Sequence, residues 1–210
     1  ITAYLLEYSS RQSWYRGRLL EFQASRDALT GLPNRRHFDQ ELRRLVREAI
    51  RRGQNVALLM IDIDHFKDYN DRHGHPAGDE VIRAIGEIFI RQTRQTDIVG
   101  RIGGDEFVAV LADVGSIQAC THLATRVLTA CAEPVRIQGN DLKVTASIGI
   151  TMYPQDNAEA DQLMRHADQA MYEAKQSGKN KFHIFDSAQD AEVKNRSIQQ
   201  DRIAQGLARQ

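Results

Sequence analysis

Apolar positions along this chain follow two rhythms, three- and four-residue spacing in some stretches and short unbroken runs in others. Ile1, Leu5, Tyr8, Gln12, Tyr15, Leu19 and Phe22 are spaced 4, 3, 4, 3, 4 and 3 residues apart, a heptad seam broken only by Gln12. That seam predicts a parallel coiled-coil helix over residues 1–26; a single amphipathic helix lying on its own domain has the same pattern. Gly31 and Pro33 interrupt it, and a second helix is expected from Arg35 to Arg52, closed by Gly53. The apolar run from Val56 to Asp62 predicts a strand, and Pro76 to Thr93 a helix entered through Gly78 and Asp79. Ile98–Ile102 and Phe107–Leu111, separated by Gly103, Gly104, Asp105 and Glu106, read as a hairpin. Ser116–Ala132 is expected to be helical. Val135–Ile137 and Leu142–Thr151 should pair around a Gly139-Asn140 turn, a helix should run from Ala158 to Ser177, and Lys181–Phe185 should be a last strand. Hairpins mixed with crossovers imply an α+β domain, an α/β sandwich with a mixed central sheet flanked by helices. From Ser187 onward the chain is polar, with only Val193, Ile198, Ile203 and Leu207 as apolar content, which suits a helical linker.

Composition narrows the picture. The 210 residues suit one domain of roughly 150 residues plus connecting segments. Lys and Arg number 28 against 28 Asp and Glu, a balance that argues against a surface for coating DNA or RNA while leaving room for one locally held nucleotide. Cys120 and Cys131 lie in one expected helix, too far apart along its axis to bridge, which favours a reduced, cytoplasmic setting. The longest strongly apolar run, Val56–Ile61, falls far short of the roughly 20 residues a membrane span needs. The first residue is Ile1, so a fragment is expected, with any membrane anchor or sensor lying in parts outside it.

Candidate chemistry gathers at two places. Asp62 and Asp64 end the first strand, where alternation puts both on one face. Two adjacent carboxylates repel unless a cation lies beside them, although a solvated strand end looks the same. Asp105 and Glu106 sit at the hairpin tip behind two glycines, which let a ligand approach the backbone closely but are also ordinary turn chemistry. If strand and hairpin are neighbours, hard oxygens from both converge as Mg²⁺ favours when it also binds substrate phosphates. Lys67 follows the first pair. Lys175 and Lys179, four apart, are expected to share a helix face able to hold a phosphate tail, or to complement a helix C-terminus.

The segment RIGGDEF at 101–107 strongly resembles the signature of GGDEF-domain diguanylate cyclases. DALTGLPNRR (27–36), DIDHFKDYND (62–71), GHPAGDE (74–80), SIGI (147–150) and ADQAMYEAKQSGKN (167–180) agree with that family in order and spacing. The resemblance spans about residues 25–186. It implies a fold similar to the palm of nucleotide cyclases and polymerases, and condensation of two GTP into cyclic di-GMP with release of two pyrophosphates. It further implies that Asp62, Asp105 and the Ile63 carbonyl bind Mg²⁺, for which Mn²⁺ can substitute, and that Glu106 assists deprotonation of the attacking 3′-hydroxyl. Asp64 would be a ligand or an orienting group.

By the same resemblance Asn70 and Asp79 read guanine, although Asp79 also suits a helix cap or first turn. Phe66, Lys67, Gly103 and Gly104 lie near the triphosphate, and Lys175 and Lys179 grip its outer phosphates; Lys179 stands where the family often has Arg. Arg94 and Asp97 match the family's RxxD inhibitory site for cyclic di-GMP, with Arg126 as a further cation; a helix-end ion pair is the plainer account of the first two. His65, His73 and His75 lie among these motifs without a cysteine, which weighs against zinc. Because the reaction joins two GTP, a homodimer is expected, held by the heptad seam. The alternative is a catalytically silent module that binds GTP or cyclic di-GMP and controls an adjacent EAL phosphodiesterase domain, since residues 194–210 resemble a linker leading to one. The domain reading is thus a signalling helix over 1–26, a GGDEF domain over 27–186 and a linker over 187–210.

Overall fold

A computed structural model describes residues 24–137 and 140–186 of the chain. The heptad seam of residues 1–22, Gly139 of the expected turn and the tail from Ser187 lie outside the described residues. The helix α1 (Arg35–Arg52) starts where the Asn34 side chain accepts the His37 amide at 3.1 Å and stops at Gly53, whose φ of 65° breaks the helical hydrogen bonding. Its inner face is Phe38, Leu42, Leu45, Val46 and Ala49. β1 (Val56–Ile63) is buried along its whole length, as expected of a central strand covered on both faces. α2 (Phe66–His73) and α3 (His75–Gln92) follow, then the hairpin β2 (Ile98–Gly103) and β3 (Glu106–Ala112), α4 (Ile117–Ala132), the small ribbon β4 (Val135–Ile137) and β5 (Asn140–Leu142), β6 (Ala146–Tyr153), α5 (Ala160–Gln176) and β7 (Phe182–Ile184).

The main sheet runs β2-β3-β1-β6-β7, antiparallel except for the parallel pair β6/β7, so the expected mixed sheet flanked by helices is present. Alternation along β1 divides the core. Val56, Leu58 and Met60 pack with Val108 and Val110 against α1 and α5. Ala57, Leu59, Ile61 and Ile63 face the α3 and α4 side, where Ile85, Phe89, Cys120 and Cys131 are buried. Burial pushes the Cys120 thiol to about 11 and the Cys131 thiol to about 12, so both are inert core residues. Asp62 has the parity of Met60 and therefore opens toward α5. Gly149 on β6 makes that helix close: a Cβ there would run into the Ala167 carbonyl and the Met171 amide of α5, so the helix backbone rests directly on the strand. The close seat carries Lys175, near the end of α5, to the end of β1.

Four expectations need correction. α2 has no counterpart in the sequence pattern, because none of its residues is buried and no apolar period marks it. The strand expected over 142–151 is two elements: β5 pairs with β4 as expected, and β6 joins the main sheet. α5 ends at Gln176, so Lys179 lies beyond it with φ of 59° and does not share a helix face with Lys175. Asp79 is the fifth residue of α3, past the cap and first turn.

Candidate functional site

The C-terminal end of β1 gathers the expected residues. In the antiparallel register Asp62 stands directly opposite Glu106 on one side and Ser147 on the other, so their side chains leave the same face. The hairpin tip is tied to this end by the Ile63 amide, which donates to the Asp105 carbonyl at 3.3 Å. Lys175 closes over the group, its Nζ 2.7 Å from Asp62 Oδ2. Burial, reinforced by the nearby Asp105 and Glu106 charges, raises the Asp62 carboxyl to about 6; the Lys175 contact opposes that rise without cancelling it. A carboxylate held this unfavourably is well suited to a cation, and Asp62, Asp105 and Glu106 offer the hard oxygens Mg²⁺ prefers. Among the described residues no three acidic, histidine or cysteine side chains enclose an ion, so the remaining ligands would come from phosphate and water.

Phe66 and Asn70, one turn apart on α2, both pack on Gly78 of α3. A Cβ at Gly78 would collide with Asn70 Oδ1 and press on the Phe66 ring, so this glycine is what lets the two helices meet. Asn70 Oδ1 is buried without a hydrogen-bond partner, an acceptor left open against Gly78, the residue before Asp79. Lys67 lies exposed in the first turn of α2, whose His65 cap supplies no side-chain acceptor.

Asp64, one residue past β1, does not stand as a second repelling carboxylate beside Asp62. Its Oδ1 accepts from Ser147 Oγ at 2.7 Å, and its Oδ2 from Thr145 Oγ1 at 2.7 Å and the Asn180 amide at 3.1 Å. Lys179, next to Asn180, extends its Nζ to His65 Nε2 at 3.0 Å. Lys175 and Lys179 therefore do come to the same end of the sheet, by two routes: the seat of α5 on Gly149, and the loop pinned by Asp64.

A scan against family models matches residues 24–181 to the diguanylate cyclase GGDEF domain. The chain belongs to the GGDEF family. It is 38% identical over 161 residues to the diguanylate cyclase TpbB of Pseudomonas aeruginosa, covering 76% of this chain and 37% of that protein. It is 36% identical over 186 residues to the bifunctional diguanylate cyclase/cyclic di-GMP phosphodiesterase MucR of the same species, covering 89% and 27%. The structure of an N-terminally truncated mutant of Pseudomonas aeruginosa TpbB comprising only the GGDEF domain superposes with a TM-score of 0.77 at 35% identity, covering 80% of this chain and 99% of that one. The coiled coil and GGDEF domain of DgcB from Caulobacter crescentus, in complex with cyclic di-GMP, superposes with a TM-score of 0.78 at 27% identity, covering 87% and 97%. The chain spans 24%, 27% and 21% of the length of three curated relatives, so it corresponds to about a quarter of such proteins.

In this GGDEF domain several clefts lie away from Asp62, Asp105 and Glu106. Openings of about 620 Å³ and 410 Å³ flank the loop between α3 and β2, and Arg94 lines both. A third, of about 100 Å³, is lined by Arg94, Asp97 and Arg126 together, so the three residues expected at the inhibitory site share one wall. Arg126 is held by Gln92, its Nε 3.1 Å from Oε1 and its Nη2 2.6 Å from the carbonyl. The Arg94–Asp97 ion pair is not formed; Asp97 Oδ2 accepts the Arg94 backbone amide at 2.8 Å instead.

Arg101 and Asp27 fall within the sequence motifs, but nothing in the pattern of residues assigns either a role. Arg101 Nη1 meets both Asp27 oxygens at 3.0 and 3.1 Å, while its Nε and Nη2 donate to the Gly104 carbonyl at 3.0 and 2.7 Å. Asp27 also accepts from the Thr30 hydroxyl at 2.7 Å and amide at 2.9 Å. One half-buried guanidinium thus joins the turn that opens the domain to the hairpin tip.

Proposed function

We propose that the chain is a diguanylate cyclase domain that condenses two GTP into cyclic di-GMP, each of two facing domains of a homodimer presenting one GTP. The observation that carries this reading is the register that sets Asp62 against Glu106, with Asp105 above and Lys175 across them. In each half-reaction the 3′-oxygen of one GTP bonds to the α-phosphorus of the other. The bond from that phosphorus to pyrophosphate breaks, and the 3′-proton passes to Glu106. Two such steps close the ring and release two pyrophosphates. Mg²⁺ or Mn²⁺, held by Asp62, Asp105 and the Ile63 carbonyl, would neutralise phosphate charge and acidify the 3′-hydroxyl.

The protein's own share is placement and charge, which dominate phosphoryl transfer. Lys175 and Lys179 take the outer phosphates, and Phe66, Lys67, Gly103 and Gly104 shape the triphosphate channel. Asn70 and Asp79 read the guanine edge, where a carboxylate accepts from N1–H and N2–H₂ and an amide both donates and accepts. Arg94, Asp97 and Arg126 would hold cyclic di-GMP as a feedback ligand. Incubating the chain with GTP and Mg²⁺ should yield cyclic di-GMP on chromatography. Binding without product would favour a regulatory module, a reading supported by relatives that include the cyclic di-GMP phosphodiesterase NbdA, 34% identical over 166 residues. Absence of both would end the nucleotide reading.

A further inference from the structure

We infer that Asp64 is a positioning residue that seats the Gly178–Asn180 turn so that Lys179 reaches the triphosphate; this rests on the reading of the site as a GTP site. Asp64 is only 6% exposed, and its two oxygens are engaged by three uncharged donors from two segments: Thr145 and Ser147 at the start of β6, and the Asn180 amide ahead of β7. Its own amide donates to the Thr145 carbonyl at 2.8 Å, so backbone and side chain anchor the same corner. A cation would have to displace these donors, so the carboxylate acts through what it holds rather than as a ligand.

What it holds is a strained turn. Lys179 and Asn180 have φ of 59° and 48°, a left-handed conformation that costs non-glycine residues about 1 kcal/mol or more each and persists only where the surroundings impose it. The Asn180 amide on Asp64 is such an imposition. The turn then directs Lys179 toward His65, the residue after Asp64, whose Nδ1 lies 3.3 Å from Asp68 Oδ2. The His65 ring orients the Lys179 ammonium, whereas Lys175 meets the Asp62 carboxylate. Lys179 is thereby placed at the start of α2, where helix amides also favour phosphate.

Electrostatics makes the test decisive. Were Asp64 only a negative charge near a polyanion, Asp64→Asn would strengthen triphosphate binding. As a positioning residue it must weaken it, because Asn keeps one acceptor oxygen and turns the other into an NH2 donor, so Ser147, Thr145 and the Asn180 amide no longer have two acceptors to share. Calorimetry on the 210-residue chain should compare GMP with a GTP analogue carrying a methylene in place of the α,β-bridging oxygen. The expected result for Asp64→Asn is about tenfold weaker analogue binding, with GMP changed less than about twofold. In a Lys179→Met background Asp64→Asn should bring no further loss. Ser147→Ala, which keeps the charge, should show the same selectivity at about threefold and carries the test if Asp64→Asn does not fold. Equal losses for both ligands, no loss, or a gain would overturn the proposal while leaving the GTP reading standing. Failure of the unaltered chain to bind the analogue would overturn both.

Discussion

Lys175 Nζ lies 2.7 Å from Asp62 Oδ2, yet the Asp62 carboxyl is raised from 3.8 to about 6, so burial and the Asp105 and Glu106 charges outweigh the lysine. Between about pH 4 and 6 the folded chain holds a proton that the unfolded chain has released. Asp62 therefore contributes stability that is complete below about pH 4 and lost as pH rises through 6. A rise of that size corresponds to about 3 kcal/mol at most, and loss of the Lys175 contact reduces what Asp62→Asn can regain to about 1–2 kcal/mol. With EDTA at pH 8, Asp62→Asn should melt about 2–6 °C above the unaltered chain, and the gap should close at pH 4. Added Mg²⁺ should raise the melting temperature of the unaltered chain and not that of the variant. Circular dichroism melts would check both; a lower melting point for Asp62→Asn at pH 8 would show that the ion pair outweighs the burial cost.

Gly78→Ala separates stability from recognition. Alanine in a helix is favoured over glycine by about 1 kcal/mol, but here its Cβ meets Asn70 Oδ1, the end of a short side chain that can rotate away. The fold should survive with its melting temperature within about 3 °C, while Asn70 leaves its place against Gly78. The expected outcome is a rise of about tenfold in KM for GTP and a narrowed preference for GTP over ATP, since one missing polar contact to a base is worth about 1–3 kcal/mol. Steady-state kinetics with both nucleotides would decide; an unchanged preference would remove Asn70 from guanine reading.

The sheet is legible in the sequence because its strands are short apolar runs bounded by glycine and acidic residues, and Val56–Ile63 is buried throughout. α2 is not, because FKDYNDRH sets only the half-buried Phe66 and Tyr69 against the core and buries no residue fully, too little to leave a period. The site divides the same way. Asp62, Asp105 and Glu106 stand out as carboxylates at element ends, but Asp64 meets its partners across 81, 83 and 116 residues, and Arg101 meets Asp27 across 74. Such pairings depend on which strands are neighbours, and periodicity carries no record of that. The four-residue spacing of Lys175 and Lys179 suggests a shared helix face, but Gly178 lies between them and α5 ends at Gln176, so the spacing does not carry across the turn.

Arg101 and Asp27 should behave as one unit. Arg101 Nη1 meets both Asp27 oxygens in a partly buried pair, and the same guanidinium supports the Gly104 carbonyl at the hairpin tip. Arg101→Ala should lower cyclase activity by about tenfold or more and stability by about 1–3 kcal/mol, because it leaves Asp27 with an uncompensated partly buried charge. Asp27→Ala in the Arg101→Ala background should cost less than it does alone, giving a coupling of about 1 kcal/mol or more. Denaturant melts on the two single variants and the double variant would measure it, and strictly additive losses would show that the turn and the hairpin tip act independently.

Arg94→Ala is a clean probe of feedback for a reason the structure supplies. Asp97 Oδ2 holds the Arg94 backbone amide at 2.8 Å, and the Asp97 amide returns to the Arg94 carbonyl at 3.0 Å, so the turn is closed without the guanidinium. Removing that side chain should leave the melting temperature and initial rate unchanged, whereas Asp97→Ala should loosen the turn itself. If cyclic di-GMP is held here, Arg94→Ala forfeits a charged hydrogen bond worth about 1.5–3 kcal/mol. The product concentration for half-inhibition should then rise about tenfold to a hundredfold. Arg126, anchored on Gln92 across the same small cleft, should give a smaller effect in the same direction when replaced by alanine. Progress curves with added cyclic di-GMP would measure all three variants, and unchanged inhibition in Arg94→Ala would place any feedback site elsewhere on the domain.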